Sequence, residues 1–290
     1  MDRANRFDGR RAPCAGETAS RSGFDPAAAG TPCSCGVAVM AKASTPGRAK
    51  TRLVPPLDYD EAAALNTAFL QDVLDNVLLA ARQSGAEAGI TGYAAYGPPG
   101  SEEFFRDKLP TSVGLISAWL PNFGDCLLHA IEEIFARGHA GAAVLNADSP
   151  TLPTALLNET AEILARPGDR AVLGPSSDGG YYLLGLKTAH RRMFEDIAWS
   201  TDRVAEQTLQ RAREIGLDVH VLPLWYDVDD IESLRRLHAE LRQHEPPHRT
   251  DGAPRPHRAR HTAALLGRLW PDGDIGRRPQ GHMQNAKALA

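Results

Sequence analysis

The sequence predicts an α/β domain: a mainly parallel β-sheet packed between two layers of helices, a three-layer α/β/α sandwich. Three observations predict it. Short apolar runs alternate with longer stretches of helical periodicity along residues 36–242. The runs lack polar alternation, as strands buried on both faces do. Polar clusters follow several of them, at the carboxyl ends where parallel sheets hold ligands.

The elements follow in order. Residues 36–41 (GVAVMA) form the first buried strand, and a polar loop, 42–56, leaves it. Asp58 or Asp60 caps a long helix with Leu65, Phe69, Val73, Leu74, Val77 and Leu78 on one face. Strands are expected at 90–96 and 113–119, then a helix at 124–137 with Leu127, Leu128, Ile131 and Ile134 facing inward. A buried strand at 142–147 ends in Asp148-Ser149-Pro150, and Pro153 suits the first position of the next helix. Strands at 171–173 and 181–186 flank a Gly-rich loop. A helix at 202–215, a strand at 219–222 and a helix at 231–241 complete the series. Right-handed crossovers between such strands bring the polar clusters to one rim.

Composition sets the outer limits. Residues 1–35 are rich in Arg, Ala, Gly, Ser and Pro without periodicity and are expected to be a disordered leader. Residues 243–290 are rich in Pro, Arg, Gly and His and are expected to be a disordered tail, with one apolar stretch, 263–270, able to form a helix. The 42% hydrophobic content supports a real core, and the net charge of −4 argues against general nucleic-acid binding. No apolar run approaches membrane-span length. The irregular spacing of Cys14, Cys33, Cys35 and Cys126 reads as free thiols in a reducing, cytoplasmic setting, not as a disulfide frame or a zinc site.

Four clusters carry chemistry. The loop after the first strand holds Lys42, Arg48, Lys50 and Arg52, cations able to neutralise phosphate, and Gly47, which allows close backbone approach. It is not a P-loop, because Ser44 and Ala49 stand where that motif needs glycine. Asp148 ends a buried strand, where a carboxylate needs a partner or a cation; the alternative is a cap for the following helix. Asp227, Asp229 and Asp230 crowd three carboxylates into four residues, with Asp227 and Asp229 on one face of an extended segment; Asp230 suits a helix cap. Residues 174–182 hold Ser176, Ser177 and Asp178-Gly179-Gly180, either a ligand-hugging turn or an ordinary hairpin turn. The stretch is no nucleophile elbow, since residue 178 is Asp and not Gly.

Together the motifs PGxxKTRL (46–53), DSP (148–150), DGGYYLxGL (178–186), WST (199–201) and DVD (227–229) resemble a bacterial family of GT-A glycosyltransferase-like proteins. That family is known as radical-SAM/selenodomain-associated transferases and is similar to the 2-phospholactate guanylyltransferases. The resemblance spans about residues 36–241. It implies a GT-A, Rossmann-like sheet of the nucleotide-diphospho-sugar transferase type, binding a nucleotide at the strand ends. It further implies that the loop with Gly47, Lys50, Thr51 and Arg52 holds nucleotide phosphates, and that Asp148 and Asp229 share Mg²⁺ or Mn²⁺. Asp178, Gly179, Gly180 and Tyr181, with Trp199, Ser200 and Thr201, would lie near the second substrate.

The expected function is a metal-dependent nucleotidyltransferase that joins a nucleoside triphosphate to a phosphate- or carboxylate-bearing small acceptor, with Asp148, Lys50 and Asp178 as the candidate catalytic residues. The alternatives are a glycosyltransferase using a nucleotide-sugar and a non-catalytic nucleotide-binding module. Neither a nucleic-acid nor a membrane partner is expected.

Overall fold

The computed structural model describes residues 34–85, 89–243 and 254–275. Seven strands form one sheet in the order β3-β2-β1-β4-β6-β5-β7. They are β1 (Cys35–Lys42), β2 (Ile90–Gly97), β3 (Gly114–Ser117), β4 (Gly141–Leu145), β5 (Ala171–Pro175), β6 (Tyr181–Leu186) and β7 (Val219–Val221). Only β6 runs antiparallel to its neighbours, because the short turn after β5 returns the chain directly beside it. The expected mainly parallel α/β sandwich is therefore the fold observed.

Helices α1 (Tyr59–Gln83) and α4 (Thr154–Ala165) cover one face, where Leu74, Val77, Leu156 and Leu164 pack on Val37, Val39 and Leu145. Helices α3 (Phe123–Ala136) and α5 (Val204–Glu214) cover the other, with Leu127, Ile131 and Ala212 against Ala38, Val144 and Leu184. Asp58 starts α1 through a capping box with Glu61, one of the two starts its sequence allowed. A short helix, α2 (Glu102–Lys108), was not expected; seven residues show too little period to be read, and Phe105, fully buried, holds it to the sheet. Pro153 is the N-cap of α4, one place earlier than expected.

A third apolar cluster lies beyond the sheet. Leu53 and Leu57 from the basic loop meet the first turns of α1, Tyr226 and Val228, α6 (Ile231–Arg242) and α7 (Arg260–Leu269). This corrects two expectations. Residues 254–275 are not a tail without structure: the stretch 263–270, read as able to form a helix, lies in α7, Leu266 and Trp270 are buried, and α7 docks on α1 and α6. The expected leader also ended too late, because Ser34 and Cys35 are buried and Cys35 begins β1. Burial pushes the Cys35 thiol up to about 12, unsuited to holding zinc. Cys33 and the rest of the expected leader lie outside the described residues, as do 244–253 and 276–290. Among the described residues no helix is long and apolar enough to cross a membrane.

Candidate functional site

The strand directions gather the polar clusters at one rim. β1 and β4 are parallel neighbours, so the loop after Lys42 and the segment after Leu145 leave the sheet side by side. β5 ends and β6 begins at the same rim, which places the turn of Asp178 there. Beyond β7 the chain runs along the end of β5: Trp225 N donates to Pro175 O (3.1 Å) and Ser177 N to Trp225 O (2.9 Å). Asp227 and Asp229 arrive on that arm, and Val228, on the opposite side, is fully buried in the third cluster.

Lys50 is the hub. Its side chain is 6% exposed, and Nζ lies 2.7 Å from Asp148 Oδ1 and 2.8 Å from Asp229 Oδ1. Nζ also donates to Val228 O at 2.7 Å. Three acceptors match its three N–H donors. Val228 N donates to Asp148 O (2.9 Å), so the acid arm and the Asp148 loop are joined through the backbone as well. Burial alone would lower the Lys50 pKa, but the charges of Asp148 and then Asp229 outweigh it and raise it. The ammonium sits 5.5 Å from the centre of the Phe69 ring on α1. Lys50 itself has φ +48°, a left-handed conformation that turns the loop back toward the acids.

The Asp148 side chain does not cap α4, which begins six residues later with Pro153 at its cap. Asp230 does cap α6, with Ser233 completing a capping box. The acids thus divide: Asp230 is structural, and Asp148 and Asp229 face Lys50.

A second grouping forms on the far side of Asp229. Carboxylate oxygens of Asp178, Asp227 and Asp229 lie within 4.8 Å of one another. Burial first, then the charges of Asp178 and Asp229, push Asp227 up to about 6, although Ser176 Oγ donates to it at 3.0 Å. Asp229 therefore belongs to both groupings, paired with Lys50 on one side and close to Asp178 and Asp227 on the other. A donor set of oxygens alone suits Mg²⁺ or Mn²⁺, and a cation there would relieve the repulsion that raises Asp227. Asn146 Oδ1, two residues before Asp148, is buried without a partner among the described residues. The residues present fit a divalent cation, but the three-carboxylate group is Asp178–Asp227–Asp229. Asp148 and Asp229, the pair expected to share a metal, are joined here through Lys50.

The remaining expected residues take these places. Lys42 ends β1 with Nζ 5.7 Å from the centre of the Trp119 ring. Gly47 has φ +73° and is exposed with Arg48, Thr51 and Arg52 on the outer side of the loop. Gly179 has φ +91°, and a Cβ there would lie 2.0 Å from Asp202 O. That close approach lets Ala205 N donate to Gly179 O (3.0 Å) and docks the segment with Ser200 and Thr201 against the turn. Asp178 Oδ1 accepts from Gly180 N at 2.9 Å, so the turn is both a hairpin and a carrier of the acid. Tyr181 and Trp199 meet edge to face, their ring centres 6.5 Å apart, and Trp199 also meets the exposed Phe123. Sequence reasoning left Asp227 out of the metal pair, and it placed Ser176 in the ligand-hugging turn without pairing it with Asp227. The period-2 alternation of Asp227 and Asp229 was the available signal for the first; the second pairing spans 51 residues and has no local signal.

This is the Rossmann-like α/β fold of the nucleotide-diphospho-sugar transferases. The chain is similar to a protein provisionally described as a nucleotide-diphospho-sugar transferase from Desulfovibrio desulfuricans: 26% identity, TM-score 0.68, covering 84% of this chain and 96% of that one. Residues 80–201 match the model of the family "Uncharacterized protein conserved in bacteria (DUF2064)". More distant likenesses include CMP:2-keto-3-deoxy-manno-octonic acid synthetase complexed with CTP (13% identity, TM-score 0.45, 71% of this chain and 97% of that one). Another is a cytidylyltransferase from Leptospira borgpetersenii (11%, 0.44, 83% and 95%). No curated protein matches the chain.

Proposed function

We propose that the protein is a metal-dependent nucleotidyltransferase. The observation that carries this reading is the convergence of Lys50 and its cation-bearing loop with Asp148, Asp178, Asp227 and Asp229 at one sheet rim. Loop cations suit the phosphates of a nucleoside triphosphate, and the carboxylates suit the divalent cation that accompanies it. An acceptor phosphate or carboxylate oxygen attacks the α-phosphorus, a new P–O bond forms, and the bond to the bridging oxygen breaks. Pyrophosphate leaves with that electron pair.

In this reading Arg48, Arg52 and Lys42 hold the leaving pyrophosphate by charge-assisted hydrogen bonds. Lys50 exchanges a carboxylate partner for a phosphate oxygen, and Asp148 orients it. Asp178, Asp227 and Asp229 would hold Mg²⁺ or Mn²⁺, which when bound neutralises phosphate charge and orients the α-phosphate. The turn 178–181 and residues 199–201 border the acceptor. The resemblance to the 2-phospholactate guanylyltransferases supports a phosphate-bearing acceptor and release of pyrophosphate.

A second reading, transfer of a sugar from a nucleotide-sugar, is favoured by the likeness to the Desulfovibrio protein. The products separate the two. Incubation with each nucleoside triphosphate, Mg²⁺ and small phosphorylated or carboxylated acceptors should release pyrophosphate. Incubation with nucleotide-sugars should not release nucleoside diphosphate. The reverse pattern would exchange the readings. Failure of wild type to bind any nucleotide, measured by calorimetry with Mg²⁺, would sink both. In the same assay Asp227→Asn should bind Mg²⁺–nucleotide at least about tenfold more weakly. Its ligand-free melting temperature should stay level or rise, because a like-charge repulsion is gone.

A further inference from the structure

The segment expected to be a tail reaches the Asp148 loop. His257 N donates to Thr151 O at 3.0 Å, and His257 Nδ1 lies 3.2 Å from Pro150 O. A carbonyl can only accept, so this contact is a hydrogen bond in the tautomer with the proton on Nδ1; in the other tautomer Nδ1 accepts instead from Ala259 N at 3.4 Å. These are the carbonyls two and three residues after Asp148, and Pro150 and Thr151 are buried, where an unpaired carbonyl is costly. From the other side the same loop is held by Val228 N on Asp148 O and by Thr151 Oγ1 near Tyr226 OH (3.2 Å).

His257 is itself anchored. It stands three residues before α7, whose N-cap is Ala259, a residue with no side-chain acceptor. The missing cap comes from α1: Asp72, fully buried, accepts from His261 N (2.9 Å) and Thr262 N (2.7 Å). Those are two of the N–H groups that a helix start leaves without intrahelical partners. Asp75, one turn on, pairs with Arg260 and His261. Leu266 and Trp270 then join the cluster that also contains Leu53, three residues after Lys50, and Val228, which accepts from Lys50.

We infer that His257 is a positioning residue for the Lys50–Asp148 contact, so that residues 254–275 belong to the working site. The inference rests on the reading of Lys50 and Asp148 as the site proper, and its test reads the chemistry of Lys50 directly, without turnover. Lys50 is ion-paired and shielded, whereas Lys108, paired with Asp107, has a side chain 44% exposed and serves as the internal reference. The protein is treated with acetic anhydride, and acetylation of each lysine is followed by mass spectrometry.

In wild type Lys50 should react at least about tenfold more slowly than Lys108, and Asp148→Asn should raise the Lys50 rate. His257→Ala should raise the Lys50 rate by about fivefold or more, with Lys108 unchanged. His257→Asn, whose amide can still donate to Pro150 O, should restore most of the protection. That rescue would not follow if His257 mattered only as bulk. Asp72→Ala, which releases the start of α7, should act like His257→Ala and stands in for it if that variant does not fold. Unchanged Lys50 acetylation in either variant, with a cooperative melt showing that it is folded, overturns the inference. Calorimetry with Mg²⁺ and nucleoside triphosphates runs in parallel. A wild type that binds no nucleotide but shows the acetylation pattern would sink the proposed function and leave the strap standing.

Discussion

Lys50 and Arg52 sit two residues apart on one loop, and their environments separate what each does. Lys50 is buried between two carboxylates and a carbonyl; Arg52 is exposed. Lys50→Ala should therefore weaken nucleotide binding and also destabilise the ligand-free protein. The stability loss should be about 1–2 kcal/mol, below that for a fully buried pair, because Asp148 and Asp229 remain 34% and 45% exposed to screening solvent. Arg52→Ala should weaken binding by about 1.5–3 kcal/mol and leave the melt unchanged. Calorimetry and thermal melts on the two variants check this together; a Lys50→Ala melt equal to wild type would return Lys50 to an ordinary surface cation.

A different residue governs acid stability. His139 is buried between Ser34 Oγ (2.6 Å) and Tyr93 OH (2.7 Å), at the amino ends of β1 and β4, opposite the rim. Burial, then the nearby Arg137 charge, holds its pKa below 6.5. The unfolded chain then binds the proton more readily than the folded one. The stabilising difference is complete above 6.5 and is lost as pH falls through 6.5 toward the folded value. Burial holds His238 low in the same direction. The melting temperature of wild type should drop between about pH 6.5 and 5. His139→Gln should flatten part of that slope. An identical slope in the variant would show that carboxylates elsewhere carry the whole effect.

At the scale of elements, the β5–β6 hairpin shows how a turn is made into part of a site. Gly179 needs its positive φ and, more sharply, its bare Cα, because Asp202 O fills the space of a side chain. Gly179→Ala should push the segment 199–205 off the turn. The expected cost is about 2–4 kcal/mol from the clash and the left-handed backbone. Gly47→Ala makes the control, since its Cβ would meet nothing within 4 Å and only the backbone preference is lost. Its cost should stay near 1 kcal/mol. Chemical denaturation of both variants measures the difference; equal costs would mean that the turn and the segment are not packed as described.

At the scale of the molecule, the third apolar cluster ties together parts that the sequence separates by up to about 220 residues. Leu53, Val228, Leu234 and Trp270 meet there, and the loop of Lys50 is tied to the arm of Asp229 by the same packing. Burying a large apolar side chain contributes about 1.5–3 kcal/mol, and a domain is stable by only about 5–15 kcal/mol. A chain ending at residue 253 loses Leu265, Leu266, Trp270 and the strap of His257, and exposes their partners. It should aggregate or melt without cooperativity, whereas a chain ending at residue 275 should melt like the full-length protein. A cooperative, unshifted melt of the shorter chain would refute the role given to the cluster.

What the sequence by itself determined is the order and type of the main elements and the composition of the rim. Buried strands announce themselves as short apolar runs, and α1 and α3 by their periodic faces, because each pattern is a local consequence of what one element must bury. The clusters around Lys50, Asp148, Asp178 and Asp229 were legible for a related reason: unpaired charge beside a buried strand is costly unless something uses it. Only the tertiary structure decided the pairings. It set Lys50 between Asp148 and Asp229 and added Asp227 to Asp178, whereas the cap made by Asp230 is local and was legible. It also decided that residues 254–275 fold. Read locally, the apolar stretch 263–270 allows a helix, but Ala259 offers no side chain to cap it and the surrounding Pro-, Arg- and His-rich sequence gives no sign that it docks. The cap is Asp72, 189 and 190 residues away from the N–H groups it accepts, and no local pattern carries a partner at that distance.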